Sequence, residues 1–290
     1  MRRIEESELI VNPDGSIFHL HLRPQDIADK IILVGDPGRV DTIASFFGKI
    51  EVTAANREFK TVTGIFNGER VSAISTGIGT DNIDIVVNEL DALVNIDLNE
   101  RVEKANKRRL QIVRLGTSGA LQANIPIDSF VLTGTAIGFD GLLNFYQNRD
   151  SVCNLEMEQA FLLHTSWNPQ CAKPYFVNSS PSLMKLFEDF TINGVTISAP
   201  GFYGPQGRVL RLPLADENLN SKIESFSYNG RRITNFEMES SAINGLSLLL
   251  GHDSLTICSI IANRVTKQAS PDYKQNIRRL IEKTLERLTQ

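Results

Sequence analysis

The sequence predicts an α/β protein, and three observations carry that prediction. Three apolar segments, IILVGDPGR (31–39), VSAISTGIGT (71–80) and IVRLGTSGA (112–120), each read as a strand running into a glycine-bearing turn. Helical patterns follow the first two. Further buried strands and helices continue the alternation in the second half, which argues for a sheet covered by helices. In such sheets ligands bind beyond the carboxyl ends of the strands. No long linker, low-complexity tract or tandem repeat divides the chain, so residues 1–290 are expected to form one domain.

Taken in order, HLH (19–21) has the alternation of a strand with both imidazoles on one face. After GDPGR, Val40, Ile43, Ala44 and Phe47 recur at helical spacing, with Gly48 as the stop. After TGIGT, Asp81 or Asn82 can cap a helix that buries Ile83, Val86, Val87, Leu90 and Val94. FVLTGTAIG (130–138) and LTICSIIANRV (255–265) are β-rich and apolar enough to be buried on both faces. SSAINGLSLLLG (240–251) reads as a buried helix ending at Gly251. The last segment places Ile277, Leu280, Ile281, Thr284, Leu285 and Leu288 on one stripe, the mark of an amphipathic helix docked on the sheet. Residues 141–198 carry the weakest pattern.

Composition excludes several classes. The 290 residues are 41% hydrophobic and 22% charged, as in ordinary globular proteins. A net charge of −4 argues against a nucleic-acid partner, and the basic run KANKRR (104–109) reads as a solvated loop. No apolar stretch is long enough for a membrane span, and MRRIEESELI turns acidic too soon for a signal peptide. Cys153, Cys171 and Cys258 form neither a disulfide framework nor a metal spacing, which suggests a reducing, cytoplasmic setting. No bound metal is expected.

Three clusters carry chemistry. The glycine turns fit neither a dinucleotide fingerprint nor a P-loop. They do offer backbone N–H groups, a setting for anions. Arg39 follows GDPG, Arg114 precedes LGTSG, and Thr117 adds a hydroxyl. Guanidinium forks at two such turns suit a phosphate-like anion. The bland alternative is that the turns merely end strands. In APGFYGPQGRVLRL (199–212), Phe202, Gln206 and Arg208 offer a stacking face, an amide and a donor fork. That set suits a heterocycle with carbonyls and an N–H, such as uracil, although a plain surface loop has the same composition. Finally, NLEMEQ (154–159) and NFEMES (235–240) each place two glutamates one residue apart. On a strand such a pair faces one way; on a helix it diverges. Spacing alone does not choose between the copies.

Together, SIFHLHL (16–22), ILVGDPGRV (32–40), NREF (56–59), STGIG (75–79) with IVVNEL (85–90), RLGTSGALQ (114–122), FYGPQGR (202–208), NFEMES (235–240) and NR (263–264), in this order, resemble the nucleoside phosphorylases of the uridine phosphorylase type. The resemblance implies a three-layer α/β/α fold around a mixed, partly barrel-like sheet. It implies reversible conversion of uridine and phosphate to uracil and ribose 1-phosphate, without a cofactor. It places phosphate at Gly35, Arg39, Arg114 and Thr117, with Arg57 and the ribose-binding His19 supplied by a neighbouring subunit. It assigns Met238 and Glu239 to the ribose, Phe202, Gln206 and Arg208 to uracil, and Arg264 to the uracil O4 side. Sharing of Arg57 and His19 implies at least a dimer, with a hexamer built as a trimer of dimers as the expected form. Some relatives hold a monovalent cation with a glutamate, here Glu58, and a serine; Asn82 replaces that serine. Purine phosphorolysis is the main alternative, and Asn263 stands where a purine enzyme has an aspartate. A hydrolase is disfavoured by Arg39, Arg57 and Arg114, and a non-catalytic nucleoside-binding protein by the presence of both residue sets. Glu156 and Glu158 of the first echo are expected to be surface or structural.

Overall fold

A computed structural model describes residues 2–290. β1 (Lys30–Val34) leads into α1 (Pro37–Ala44). β2 (Lys49–Asn56), β3 (Phe59–Phe66) and β4 (Glu69–Ser75) form an antiparallel meander, followed by α2 (Thr80–Asn95). A small pair, β5 (Ile96–Asp97) and β6 (Val102–Glu103), precedes β7 (Gln111–Ala120) and β8 (Phe130–Gly138). Next come α3 (Leu155–Thr165), β9 (Tyr175–Asn178), α4 (Pro181–Phe187) and β10 (Ile192–Ser198). α5 (Leu219–Ser225), β11 (Ser227–Tyr228), β12 (Arg231–Glu237) and α6 (Ser240–Leu250) follow. The chain ends with β13 (Asp253–Asn263), β14 (Gln268–Ala269) and α7 (Tyr273–Leu288).

The main sheet is mixed. β4, β1, β7 and β13 run parallel side by side. β13 then pairs antiparallel with β8, and β8, β10 and β12 continue parallel. β12 returns to pair antiparallel with the end of β7, at Asn235–Ala120 and Phe236–Gly119. Strands β7, β13, β8, β10 and β12 therefore close a barrel, and β1–β4 extend from it as an open wing.

Helices cover both faces, so the fold has three layers. Along β1, Ile31 and Leu33 point into a core with Ile83, Val86 and Leu90 of α2 and Ile243 of α6. Ile32 and Val34 point the other way, into a core with Val40 of α1 and Leu280 and Ile281 of α7. Burial on both faces explains why this strand is continuously apolar rather than alternating. Each buried aliphatic side chain contributes roughly 1.5–3 kcal/mol of gross transfer energy. No helix among the described residues is long and apolar enough to cross a membrane.

Several local expectations need correction. α1 stops at Ala44, short of Gly48, and its cap is Asp36, whose side chain accepts from the Gly38 N–H at 2.9 Å. α2 is capped at Gly79 rather than Asp81 or Asn82. HLH is not a strand: these residues form turns, with His21 at φ 51°. The segment RLGTSG is not a turn either, because β7 runs unbroken through it to Ala120. Its glycines serve close approach: a Cβ at Gly116 would run into the Arg114 guanidinium and the Cys258 thiol. KANKRR is a loop whose ion pairs, Lys107–Glu103 and Arg108–Asp29, are solvated.

The two acidic echoes fold differently. The first starts α3, with the Asn154 side chain accepting from the Met157 N–H. Its glutamates diverge: Glu156 is exposed and accepts from the Tyr228 hydroxyl, whereas Glu158 is buried against Arg149. Glu158 is thus structural and not a surface residue. Replacing Glu158 by Ala leaves the partly buried Arg149 with only the exposed Asp150 as a partner and is expected to cost about 2 kcal/mol. Urea unfolding monitored by circular dichroism checks this; a loss below about 0.5 kcal/mol would contradict it.

Candidate functional site

The second echo ends β12 and turns into α6, and it meets Arg114 from β7. Arg114 is 5% exposed, an arginine inside the protein. Its Nη1 donates to Glu237 Oε2 at 3.1 Å, and its Nη2 donates to Glu239. The glutamates face one target, as i and i+2 do along a strand, and the target is a guanidinium. Burial disfavours the Arg114 charge, but the charges of Glu239 and Glu237 outweigh this and leave its pKa raised. Burial raises the Glu239 pKa; Arg114 opposes this and the Glu237 charge adds to it.

Glu237 holds the turn together. Its carboxylate accepts from the Glu239 and Ser240 N–H groups at 2.9 and 3.0 Å, and from the Ser198 and Ser240 hydroxyls at 2.5 and 2.7 Å. It satisfies orphan donors at the start of α6 while fixing Glu239. Glu239 also accepts from the Gly79 N–H at 2.8 Å, which ties the start of α2 to the same point.

A cavity of about 660 Å³ opens over this cluster. Gly35, Arg39, Arg114, Thr117, Phe202, Gln206, Arg208, Met238 and Glu239 all line it. The three sequence clusters, far apart in the chain, thus converge on one space. The Arg39 side chain makes no hydrogen bond or ion pair with any described residue, and burial together with the Arg114 charge lowers its pKa. Nε of Arg114 is likewise buried without an acceptor. Two guanidinium groups lining one cavity have the chemistry to hold an anion.

Phe202, Gln206 and Arg208, from one loop, also line the cavity. Arg208 lies 3.8 Å from the Phe202 ring centre and donates to the Phe202 carbonyl and to Gln206 Oε1, both at 2.6 Å. The contact with Gln206 orients its amide, leaving the Gln206 NH₂ to donate elsewhere. Arg264 does not line the cavity. Its Nη1 donates to the Gln206 carbonyl at 2.6 Å, so it steadies the loop from behind.

His19 and Arg57 also lie outside the cavity. Arg57 is exposed in the β2–β3 turn at φ 53°, next to Asn56, whose Nδ2 donates to the His19 carbonyl at 2.9 Å. The two expected neighbour-facing residues therefore sit together on one edge of the molecule. Asn82 lies against Gly77, close to Glu58, and its Nδ2 is 3.4 Å from the Ile78 carbonyl, to which it donates. No cluster of three or more His, Cys, Asp or Glu side chains suited to a metal occurs among the described residues.

Sequence reasoning left Ser118 and the true role of Glu237 unread. Ser118 lines the cavity, and its Oγ accepts from the buried Asn235 side chain at 2.9 Å. Only the barrel closure brings those residues together.

A mixed sheet that closes into a five-stranded barrel, with helices on both faces, defines a phosphorylase-type fold. The chain belongs to the phosphorylase superfamily, whose family model matches residues 29–290. It is 28% identical over 261 residues to a uridine phosphorylase of Thermococcus kodakarensis, covering 88% of this chain and 80% of that one. It is 28% identical over 273 residues to a uridine phosphorylase of Escherichia coli, covering 89% and 90%. A solved Trypanosoma brucei nucleoside phosphorylase, described as showing uridine phosphorylase activity, superposes with a TM-score of 0.88 at 30% identity, covering 97% of this chain and 99% of that one.

Asn263, weighed above as the counterpart of a purine-enzyme aspartate, does not line the cavity. Its Nδ2 donates to the Gln122 and Ile125 carbonyls, both at 2.9 Å, and its Oδ1 accepts from the Val265 and Thr266 N–H groups. An aspartate here would set a buried carboxylate against two carbonyls. Its pKa would rise on folding, so stability would be retained at low pH and lost as pH increases. Asn263→Asp is expected to lose about 3 kcal/mol at pH 8 and less at pH 5, read from thermal unfolding. An equal loss at both values would contradict this placement.

Proposed function

We propose that this protein catalyses the reversible phosphorolysis of uridine to uracil and ribose 1-phosphate, a pentosyl transfer. The observation that carries the reading is the single cavity in which Arg39 and Arg114 face Gln206 and Arg208 across Met238 and Glu239. Such a layout orders three chemical parts: an anion, a polyol and a flat polar ring.

In this reading Arg39, Arg114, Thr117 and the Gly35 turn bind phosphate. Glu239 accepts from the ribose 2′- and 3′-hydroxyls, and Met238 packs on the sugar. Gln206 and Arg208 donate to uracil, Phe202 lines the base side, and Arg264 holds their loop. As the C1′–N1 bond breaks, its electrons move to uracil and the sugar becomes cation-like. Donors from Gln206 and Arg208 stabilise the developing uracil anion, and such fixed donors supply a large share of catalysis. A phosphate oxygen, oriented by the arginines, then bonds to C1′; holding both reactants lowers the barrier further. A solvent proton restores neutral uracil. The residues need no covalent intermediate for this.

His19 and Arg57 complete the site of a neighbouring copy, which requires at least a dimer, with a hexamer as the favoured form. Their common edge location, away from their own cavity, supports this. The cytoplasmic setting rests on the cysteine usage. One domain spanning 1–290 fits the sheet, which draws on elements from β1 to β14.

The test is release of free base from uridine, thymidine, inosine and adenosine, with and without phosphate. Uridine cleavage that requires phosphate, with inosine and adenosine inert, is expected. Equal uridine cleavage in phosphate-free buffer would point to a hydrolase, and inosine cleavage to a purine enzyme. Arg208→Ala is expected to lower kcat/KM for uridine by at least about a hundredfold.

A further inference from the structure

Six charged residues line the cavity, and their charges cancel: Arg39, Arg114 and Arg208 against Asp36, Glu237 and Glu239. At its base the Arg114, Glu237 and Glu239 side chains are only 6%, 1% and 4% exposed. In the reading above, a neighbouring copy's Arg57 adds a single positive charge. A phosphate dianion entering this site therefore leaves an uncompensated negative charge next to buried carboxylates. Such a charge is costly away from water. A proton relieves it.

The hydrogen bonds decide which group can take that proton. Glu237 accepts from Arg114 Nη1, from the Glu239 and Ser240 N–H groups, and from the Ser198 and Ser240 hydroxyls. Those donors fill the lone-pair directions of a carboxylate and hold it as an anion. Glu239 accepts from fewer, the Gly79 N–H at 2.8 Å and Arg114 Nη2. Burial already raises its pKa, with Arg114 opposing and the Glu237 charge adding. A dianion beside Arg114 draws on the same guanidinium and adds a like charge, which pushes Glu239 further toward its neutral form.

The other groups around Glu239 do not compete. Cys258 of β13 lies against Arg114, and burial pushes its thiol up to about 12, so it is neutral beforehand. Asp36 is exposed and caps α1 through the Gly38 N–H. Arg39 of α1 and Arg208 of the base loop are cations, and the start of α2 presents the Gly79 N–H. No histidine lines the cavity among the described residues.

We propose that phosphate binding is coupled to uptake of a proton from solvent, and that Glu239 holds it. The inference rests on the reading that phosphate binds at Arg39 and Arg114. Protonated Glu239 keeps acceptor capacity for the ribose hydroxyls and gains an O–H donor for a phosphate oxygen. Because binding consumes a proton, phosphate affinity falls as pH rises.

The test is calorimetric titration of inorganic phosphate into the full-length protein in Tris and in HEPES, whose ionisation heats differ widely. The dependence of the binding heat on the buffer gives the protons taken up. At about pH 8 the wild type is expected to take up about one proton per phosphate, and Glu239→Gln far less. The variant should also bind phosphate about tenfold more tightly there, because the amide stands in for the neutral acid. Phosphate binding without proton uptake in the wild type would overturn the inference and leave the phosphate site standing. Equal uptake in wild type and Glu239→Gln would put the proton on phosphate itself and overturn it too. No saturable phosphate binding in the wild type would instead sink the proposed function, and the inference with it. The wild-type measurement decides even where the variant does not fold.

Discussion

A guanidinium enclosed between two carboxylates is the constraint on which the rest of this structure depends. Arg114 comes from the middle of β7, and Glu237 and Glu239 come from the end of β12 and the turn beyond it. Those two strands also pair to close the barrel. Closure and clamp therefore require each other: a slip in the β7–β12 register would part the charges, and loss of the charges would leave one or two ions buried alone. Buried ion pairs are a poor source of stability, since apolar packing of equal volume often does as well. Because it lines a cavity with a second arginine, we read this cluster as a device for binding.

The fold was legible in the sequence where burial imposes a period. The stripes of α2, α6 and α7 and the continuous apolar runs of β8 and β13 place their cores as expected, because each must bury a face along its whole length. Misreadings fell where glycine has two uses. In GDPG and TGIG the glycines stand at helix starts, but in RLGTSG they let β13 and the Arg114 side chain crowd an unbroken strand. Letters alone do not separate a turn from a close approach. HLH failed for a related reason. Its alternation mimics a strand, yet Glu89, some seventy residues further on, folds it into a turn through three hydrogen bonds.

Local pattern showed the candidate site only as three separate clusters, and their convergence was expected from the resemblance alone. Barrel closure brings the loop around Gln206 opposite Arg39 and Arg114, and no local pattern encodes that. The same holds for Arg264 and Asn263. Both belong to the NR pair, yet each spends its side chain on backbone carbonyls and neither lines the cavity. The NxEME echo separates on structure. One copy opens a helix, so its glutamates diverge into an ion pair and a surface contact. The other closes a strand, so its glutamates meet on Arg114.

The central claim is that this clamped arginine is an anion receptor, and phosphate affinity tests it most directly. Calorimetric titration of inorganic phosphate into the wild type and Arg114→Lys compares a planar fork with a point charge of the same sign. A lysine keeps the charge between the glutamates but loses the second and third donor directions. The account predicts phosphate binding weakened at least about tenfold in Arg114→Lys, about 1.4 kcal/mol. Undiminished affinity would contradict it and leave Arg114 as a structural ion between two carboxylates.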